Sequence, residues 1–299
     1  MKFEYYHTQE VKYCGKFGKR MFMRKMLLVF DGTNFSEGAF EFARGLNEKN
    51  PVLLTGVFVP QVDYANLWSY AGAASGAVAV PFIPLIEEED AVQIEKNIER
   101  FKQLCKKHKI EYRVHKDYYG FALPELKKES RFADLVIIGS ESFYTNWDIG
   151  GPTEYITSAL HDSECPVLVV PEKFNFPENN VLSYNGSESS VFAIKQFAYL
   201  FPELVQNPTL LVYAKSERED EIPNIEYIEE LVGRHFPNLT IMKLHLDPKE
   251  FFSVWVSENK NAILVSGSYG RSSISRVFKK SFIKDVIKDH KLPIFITHQ

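Results

Sequence analysis

A short apolar run that ends in two glycines carries the residue types that could bind an anion. The run from Ala262 to Val265 is rich in β-branched residues, which predicts a buried strand, and Gly267 and Gly270 follow it. A strand, a glycine-rich turn and a helix together collect backbone N–H groups around an anion at the helix N-terminus. Hydroxyl and cationic side chains at this turn would add further donors. An ordinary strand-to-helix turn is the alternative interpretation.

The same layout occurs earlier in the chain, which favours a site over an ordinary turn. The matched segments are Ile137-Ile-Gly-Ser with Val265-Ser-Gly-Ser, Asp31-Gly-Thr with Asn185-Gly-Ser, and Cys165-Pro-Val-Leu-Val-Val with Leu292-Pro-Ile-Phe-Ile-Thr. Three matches in the same order indicate an internal duplication.

Strands alternate with helices in both copies. The sequence predicts strands at 26–30, 52–59, 110–114, 134–139 and 166–170, and again at 181–184, 210–214, 240–245, 262–266 and 293–297. Such alternation is typical of right-handed βαβ units and a parallel sheet. We therefore expect an α/β protein with two tandem doubly wound domains, each containing a five-stranded parallel sheet. The expected divisions are an N-terminal extension at 1–25, a first domain at 26–172, a linker at 173–180 and a second domain at 181–299.

Helix signals fill the spaces between the strands. Ser36 or Asn34 can cap the first helix, and the acidic run 87–90 opens a long helix that ends near Lys107. The other expected helices are 122–130, 153–160, 190–200, 227–235, 249–258 and 282–289. A long insertion at about 60–85 contains Trp68 and Tyr70, and we interpret it as a self-packed surface loop or as an interface.

Composition narrows the possible functions. The chain has 299 residues, of which 45% are hydrophobic, and its net charge is −4, without a basic cluster that could meet a nucleic-acid backbone. No apolar run reaches the length of a membrane span, and no signal peptide is evident, so we expect a cytoplasmic protein. The three cysteines, Cys14, Cys105 and Cys165, are too widely spaced to indicate a disulfide framework or a metal site.

The position of a ligand follows from the fold class. In an open doubly wound sheet, ligands bind beyond the carboxyl ends of the strands, where the strand order reverses. If the first strand lies beside the fourth, the first and fourth strand-to-helix turns form that crevice. In the second half these turns are Asn185-Gly-Ser and Gly267-Ser-Tyr-Gly270, and in the first half they are Asp31-Gly-Thr and Gly139-Ser-Glu-Ser142.

From about residue 25 onward, these motifs make the chain resemble a tandem universal stress protein, with two such domains in one polypeptide. The resemblance implies a sheet order of 3-2-1-4-5 in each domain. It also implies ATP, with Mg²⁺ where it binds, as a possible ligand, because members that bind ATP carry G-x2-G-x9-G-[S/T] and an aspartate after the first strand. The residues that this resemblance and the local turn chemistry assign to a second-half site are Asn185, Ser266, Gly267, Ser268, Gly270, Arg271, Lys280 and Ser281.

Both halves depart from the family pattern. In the second half, Lys280 stands where the pattern has glycine, so it either occludes the phosphate position or adds a positive charge, and Asn185 replaces the aspartate. Asparagine at such a turn also has a conformational explanation, its tolerance of left-handed geometry. The first half retains Asp31 and Gly139, but Ser142 replaces the second glycine, and Pro152-Thr153 replaces Gly-Ser/Thr. We therefore expect the first half to bind no nucleotide in the family manner.

Three functions remain open. The leading hypothesis is a stress-response regulator that acts by association. The resemblance implies that the domains pair through their last strands, 167–170 and 294–297, as a pseudo-dimer that can form a homodimer. A slow adenine-nucleotide hydrolase or transferase is the second hypothesis, although no acid/base pair is evident near the glycine turn. The third is an interaction module that binds no nucleotide.

Overall fold

The computed structural model describes eight ranges of the chain. These are 23–31, 34–59, 83–116, 122–141, 163–214, 221–244, 261–267 and 292–297. Outside them lie the predicted helices 153–160, 249–258 and 282–289, and most of the insertion with Trp68 and Tyr70. The site residues Ser142, Thr153, Ser268, Gly270, Arg271, Lys280 and Ser281 also lie outside the described residues.

In the first half, strands and helices alternate as the sequence predicts. The strands are β1 (Arg24–Asp31), β2 (Val52–Val59), β3 (Glu111–Lys116), β4 (Leu135–Gly139) and β5 (Val167–Val170). The described helices are α1 (Glu37–Lys49), α2 (Ile83–Lys107) and α3 (Ala122–Arg131).

The second half repeats this order. Its strands are β6 (Asn179–Ser183), β7 (Thr209–Ala214), β8 (Leu239–Leu244), β9 (Ala262–Gly267) and β10 (Ile294–Thr297). The described helices are α4 (Glu188–Leu200) and α5 (Ile225–His235). Strand β6 begins inside the stretch expected to be a linker.

All ten strands form one sheet, in the order β3-β2-β1-β4-β5-β10-β9-β6-β7-β8. Within each half the strands are parallel and follow the order 3-2-1-4-5, which confirms the predicted fold. The halves join where β5 and β10 pair antiparallel, with Phe295 opposite Leu168. The predicted seam between the last strands is therefore confirmed. It also removes the two strand edges that would otherwise be exposed at the centre.

In the first half, α1 and α2 pack on one face of the apolar strands, and Leu126 of α3 packs on the other. Residues 135–139 and 167–170 are buried throughout. On one face, the rings of Phe30 and Phe58 stack with centroids 4.7 Å apart, and Phe101 from α2 meets Phe30 edge-on at 5.8 Å. In the second half, Phe197 of α4 meets Phe295 of β10 at 5.5 Å. Aromatic packing therefore fixes α2 to the sheet in the first half and α4 to the sheet in the second.

Most predicted boundaries differ from the structure by one or two residues, and the start of α2 differs most. Helix α2 begins at Ile83, inside the expected insertion, because Pro84 falls in its first turn, where the missing N–H costs no helical hydrogen bond. Strand β3 runs to Lys116 rather than Val114, since its pairing with β2 continues to Phe58. Within the described ranges, no helix combines the length and the apolar character that a membrane crossing requires.

Candidate functional site

In the first half, the turn after β4 packs directly on the start of α1. Ser36 is the N-cap of α1, and its Oγ accepts a hydrogen bond from the Ala39 N–H at 3.2 Å. A Cβ atom added at Gly139 would lie 2.3 Å from this Oγ and 2.7 Å from the Ser36 Cβ. Gly139 therefore allows the fourth strand to approach the first helix, and its role in packing requires no ligand.

A carboxylate of the chain itself lies at this helix N-terminus. The Gly38 N–H donates to Glu172 Oε2 at 2.9 Å. The Glu172 N–H in turn donates to Glu141 Oε2 at 2.8 Å, and the Ser140 hydroxyl donates to the same oxygen at 2.7 Å. We call the crevice between the first and fourth turns of each half its hollow. The first-half hollow thus contains a carboxylate of the chain itself, placed where the helix dipole and the free N–H groups of the helix favour an anion.

Glu37, the first residue of α1, lies beside this carboxylate. Partial burial raises the pKa of the Glu37 carboxyl, the Arg100 guanidinium lowers it, and the negative charge of Glu172 raises it further. Arg100 forms an ion pair with Glu37, and its guanidinium also lies 4.7 Å from the centre of the Phe35 ring. Negative charge is therefore already concentrated at this end of α1.

In the second half, the first turn is organised by Asn185. Its Oδ1 accepts hydrogen bonds from the Ser187 N–H at 3.0 Å and from the Ser187 hydroxyl at 2.6 Å. Ser187 is the N-cap of α4 and accepts from the Ser190 N–H at 3.2 Å. The left-handed explanation for Asn185 is wrong: the positive φ, +81°, belongs to Gly186. Asn185 instead closes the turn with its side-chain oxygen.

The predicted meeting of the first and fourth turns occurs at Gly267. Strands β6 and β9 are neighbours, with Leu182 opposite Val265, so their carboxyl ends lie together. A Cβ atom at Gly267 would lie 2.1 Å from the Ser189 carbonyl oxygen and 2.6 Å from the nitrogen of the next residue. Asn185 and Gly267 therefore lie at the same edge of the sheet, but Gly267, like Gly139, is explained by helix–strand packing alone.

Two further predicted site residues, Ser266 and Asp31, lie near the ends of their strands. Ser266 is buried at the end of β9. The backbone of Asp31 ends β1, beside the end of β2. Sequence reasoning missed Glu172 and Glu141, because nothing in the sequence around them indicates a contact with the start of α1. Among the described residues, no group of His, Cys, Asp or Glu side chains has the arrangement of a metal site.

The two hollows differ in charge. The two halves can be aligned by pairing Gly139 with Gly267, Pro166 with Pro293, and the N-cap serine of α1 with that of α4. The acidic positions of the first half are Asp31, Glu37, Glu141 and Glu172, and the aligned residues of the second half are Asn185, Glu188, Tyr269 and Gln299. At the start of α4 three serine hydroxyls cluster, with Oγ of Ser187 and Ser189 3.1 Å apart. By sequence, the second hollow therefore has fewer acidic residues than the first.

The ten-stranded sheet and its paired last strands define the class of fold as two tandem doubly wound domains. The chain is similar to the crystal structure of a universal stress protein from Archaeoglobus fulgidus DSM 4304, with a TM-score of 0.66 and 18% identity over 92% of this chain and 98% of that one. This likeness confirms the fold that the sequence resemblance implied.

A second solved structure, named as a universal stress protein from Pseudomonas aeruginosa UCBPP-PA14, aligns with a TM-score of 0.49 and 12% identity over 92% of this chain and 93% of that one. No protein-family model matches the sequence. No curated protein matches it either.

Proposed function

We propose that this chain is a regulatory protein of the universal-stress type, whose second half binds an adenine nucleotide such as ATP, with Mg²⁺, and which acts by association rather than by catalysis. The observation that carries the proposal is the charge difference between the two equivalent hollows. The first contains the Glu172 carboxylate at the N-terminus of α1, and the aligned position in the second is the neutral Gln299.

Electrostatics decide which half is the binding half. A carboxylate about 4 Å from a phosphate charge costs about 4 kcal/mol at an effective dielectric constant of 20. Glu172 and Glu141 together would therefore repel a nucleotide phosphate from the first hollow. At the second hollow, the serine-rich start of α4 offers hydroxyl groups and the positive end of the helix dipole. Lys280 and Arg271 then supply positive charge to the nucleotide.

A thermal-shift titration with ATP and Mg²⁺ tests the nucleotide step. A ligand present at a hundredfold excess over its dissociation constant stabilises the folded protein by about 2.7 kcal/mol, which raises the midpoint of unfolding. Gln299→Glu and Tyr269→Glu place the charges of the first half in the second, and each is expected to abolish the rise. Gln103→Glu, which adds the same charge at an exposed position on α2, is the matched control and keeps the rise.

Gly267→Val is unsuitable for this test, because its side chain would collide with the backbone of Ser189 and lower stability without any ligand. Ser281→Ala is the milder alternative and is expected to reduce the rise. No shift with any adenine nucleotide would contradict the nucleotide step and leave an interaction module. Phosphate release that Gln299→Glu abolishes would instead favour the hydrolase or transferase.

Association is tested separately. The two halves already pair through β5 and β10, and we propose that the chain pairs again as a homodimer. Light scattering after size-exclusion chromatography, with and without nucleotide, measures its mass directly. A monomer mass at all concentrations in both conditions would contradict the homodimer.

A further inference from the structure

Helices α4 and α5 form a groove, one end of which adjoins the Asn185 turn at the start of α4. The α4–α5 groove is a cleft of about 420 Å³. Its lining residues are Tyr184, Gly186, Glu188, Val191, Phe192, Lys195, Asn224, Tyr227, Ile228 and Leu231. On each helix these residues recur at intervals of three and four, so one stripe of each helix faces the cleft.

The groove is apolar along its floor and exposes aromatic rings at its margin. Tyr227 is 76% exposed and Tyr199 is 58% exposed, although both are large side chains. At the end of the groove nearest the C-termini of both helices, the rings of Tyr199 and His235 meet edge to face, with centroids 5.3 Å apart. At the other end, the Tyr184 hydroxyl donates to the Pro223 carbonyl at 2.7 Å. Side-chain contacts therefore hold both ends of the groove in place, and aromatic side chains are exposed along it.

The two helices that border the groove carry an acidic excess. Their four acidic residues are Glu188, Glu226, Glu229 and Glu230, all exposed, and their two basic residues are Lys195 and Arg234. Of these charged residues, Glu188 and Lys195 line the groove, so the lining is balanced in charge and a partner with aromatic side chains would complement its apolar floor.

One segment of this chain has that composition. Residues 1–22, which lie outside the described residues, contain five Lys and Arg residues against two Glu residues. The same segment has six aromatic side chains, namely Phe3, Tyr5, Tyr6, Tyr13, Phe17 and Phe22. Its net charge is therefore opposite to that of α4 and α5 taken together, and its aromatic content matches the groove floor.

The chain also enters the described structure beside the groove. The Arg24 guanidinium donates to the carbonyl oxygen of Leu200, the last residue of α4, and forms an ion pair with Glu203 at 2.7 Å. The Arg24 side chain is only 12% exposed, so this contact holds the start of β1 against the end of α4. Leu200 directly follows Tyr199, the residue that closes one end of the groove.

The segment is long enough to follow the groove. Helix α4 has 13 residues and is about 20 Å long, whereas 22 residues span up to about 70 Å when extended. Because the segment is tethered at Arg24, its effective concentration at the groove is in the millimolar range. A second copy of the chain would have to bind without this advantage.

We propose that residues 1–22 dock in cis in the α4–α5 groove, with aromatic side chains on its floor. The groove shares the start of α4 with the proposed nucleotide site, but docking is tested without nucleotide, so its failure would leave the nucleotide proposal standing. Docking makes the groove a regulated surface, because a partner that uses it must first displace the segment.

The native Cys14 provides a direct test in the full-length chain. Burial raises the pKa of the thiols of Cys105 and Cys165 to about 12 in each case, so at pH 7 a short bismaleimide reacts with Cys14 and with an introduced cysteine. Tyr227→Cys places a thiol at the groove margin. Gly233→Cys is the matched control, because it lies on the same helix, is exposed, and has open space around its added side chain.

We expect Tyr227→Cys to form an internally cross-linked monomer at least tenfold faster than Gly233→Cys, and Cys14→Ser to abolish the product. Equal rates at the two positions would overturn docking of the segment in the groove. Cross-linked dimers whose yield rises with protein concentration would show that a second copy occupies the groove, which also overturns the proposal.

Limited trypsin digestion provides a readout without cysteine chemistry. Docking protects Lys12, Lys16 and Lys19, so Tyr227→Asp is expected to raise the cleavage rate of the segment about tenfold, and Gly233→Asp is expected to leave it unchanged. The wild-type rate should also rise with salt, because screening weakens the attraction between the basic segment and the net negative charge of α4 and α5. Wild-type cleavage in Tyr227→Asp would overturn the proposal.

Discussion

The two halves bring the same pair of elements together but fill the adjacent hollow differently. In each, a glycine at the end of the fourth strand permits close contact with the start of the first helix. In the first half, Glu172 then bonds to that helix start, whereas three serines occupy the start of α4 in the second. The shared feature is structural and the differing feature is electrostatic. Glycine therefore identifies the packing, and the charge beside it is the difference on which our nucleotide proposal rests.

The largest expected effect is on the shared glycine. Gly267→Ala places a Cβ 2.1 Å from a backbone oxygen, which cannot rotate away, so we expect a loss of about 3 kcal/mol in unfolding free energy, at the upper end of overpacking effects. Gly139→Ala meets the Ser36 side chain instead and is expected to cost about 1–2 kcal/mol, mainly through the helix cap. Urea unfolding measures both.

Gly233→Ala is the control for this series. It is an exposed helical glycine with no atom within 4 Å of an added Cβ, and alanine there is expected to stabilise the protein by about 0.4–1 kcal/mol. If Gly267→Ala unfolded at the same urea concentration as wild type, the close contact between β9 and α4 would be wrong.

The next largest effect is expected at a buried position inside the sheet. When Gly139 is aligned with Gly267, the pairing of the neighbouring strands makes Met26 of β1 and Asn180 of β6 equivalent positions. Both side chains are buried. Asn180 Nδ2 donates to the Leu204 carbonyl at 2.8 Å and to Thr209 Oγ1 at 2.9 Å. Asn180→Ala removes both bonds from a buried site and is expected to cost about 2–3 kcal/mol.

Asn180→Asp tests whether this cost arises from hydrogen bonding. It preserves size but replaces the donor by an acceptor, so it should be at least as destabilising as Asn180→Ala in urea unfolding. An Asp variant as stable as wild type would contradict the hydrogen-bonding role. Met26→Leu, which keeps the volume of the first-half counterpart, is expected to cost less than about 1.5 kcal/mol.

The fold could be predicted from the sequence because its signals are local and repeated. The apolar strands, the cap at Ser36 and the duplicated Gly-Ser turns each indicate one βαβ step, and the pairing of β5 with β10 followed from the family resemblance. The site was less predictable. Glu172 lies more than 130 residues from the Gly38 N–H that it accepts from, and nothing in its own neighbourhood indicates that contact. The sequence spacing assigned Gly267 to a phosphate site because spacing alone does not show how closely the backbone of Ser189 approaches this glycine.

Removing the internal anion of the first half has a moderate effect. Glu172→Gln keeps a hydrogen-bond acceptor for the Gly38 N–H but removes the charge at the N-terminus of α1, so we expect a loss of about 0.5–1 kcal/mol in urea unfolding. Glu111→Gln, an exposed change on the edge strand β3, is the control and should change little. A loss equal to that of the control would mean that the carboxylate contributes nothing to the helix end.

The smallest effect is a titration within the same hollow. The pKa of Glu37 is raised above its usual value of 4.5, first by burial and in part by the charge of Glu172, so Glu172→Gln should lower it. Carboxyl NMR titration of Glu37 measures this directly, and Glu111→Gln should leave it unchanged. Because the folded state holds the Glu37 proton more tightly than the unfolded state, this carboxyl contributes stability at pH values below the unfolded pKa and loses that contribution as pH rises through the folded pKa. Because Glu172→Gln should lower the folded pKa of Glu37, the variant should lose this contribution to stability at a lower pH than wild type. A Glu37 titration identical to wild type would show that the two carboxylates do not interact.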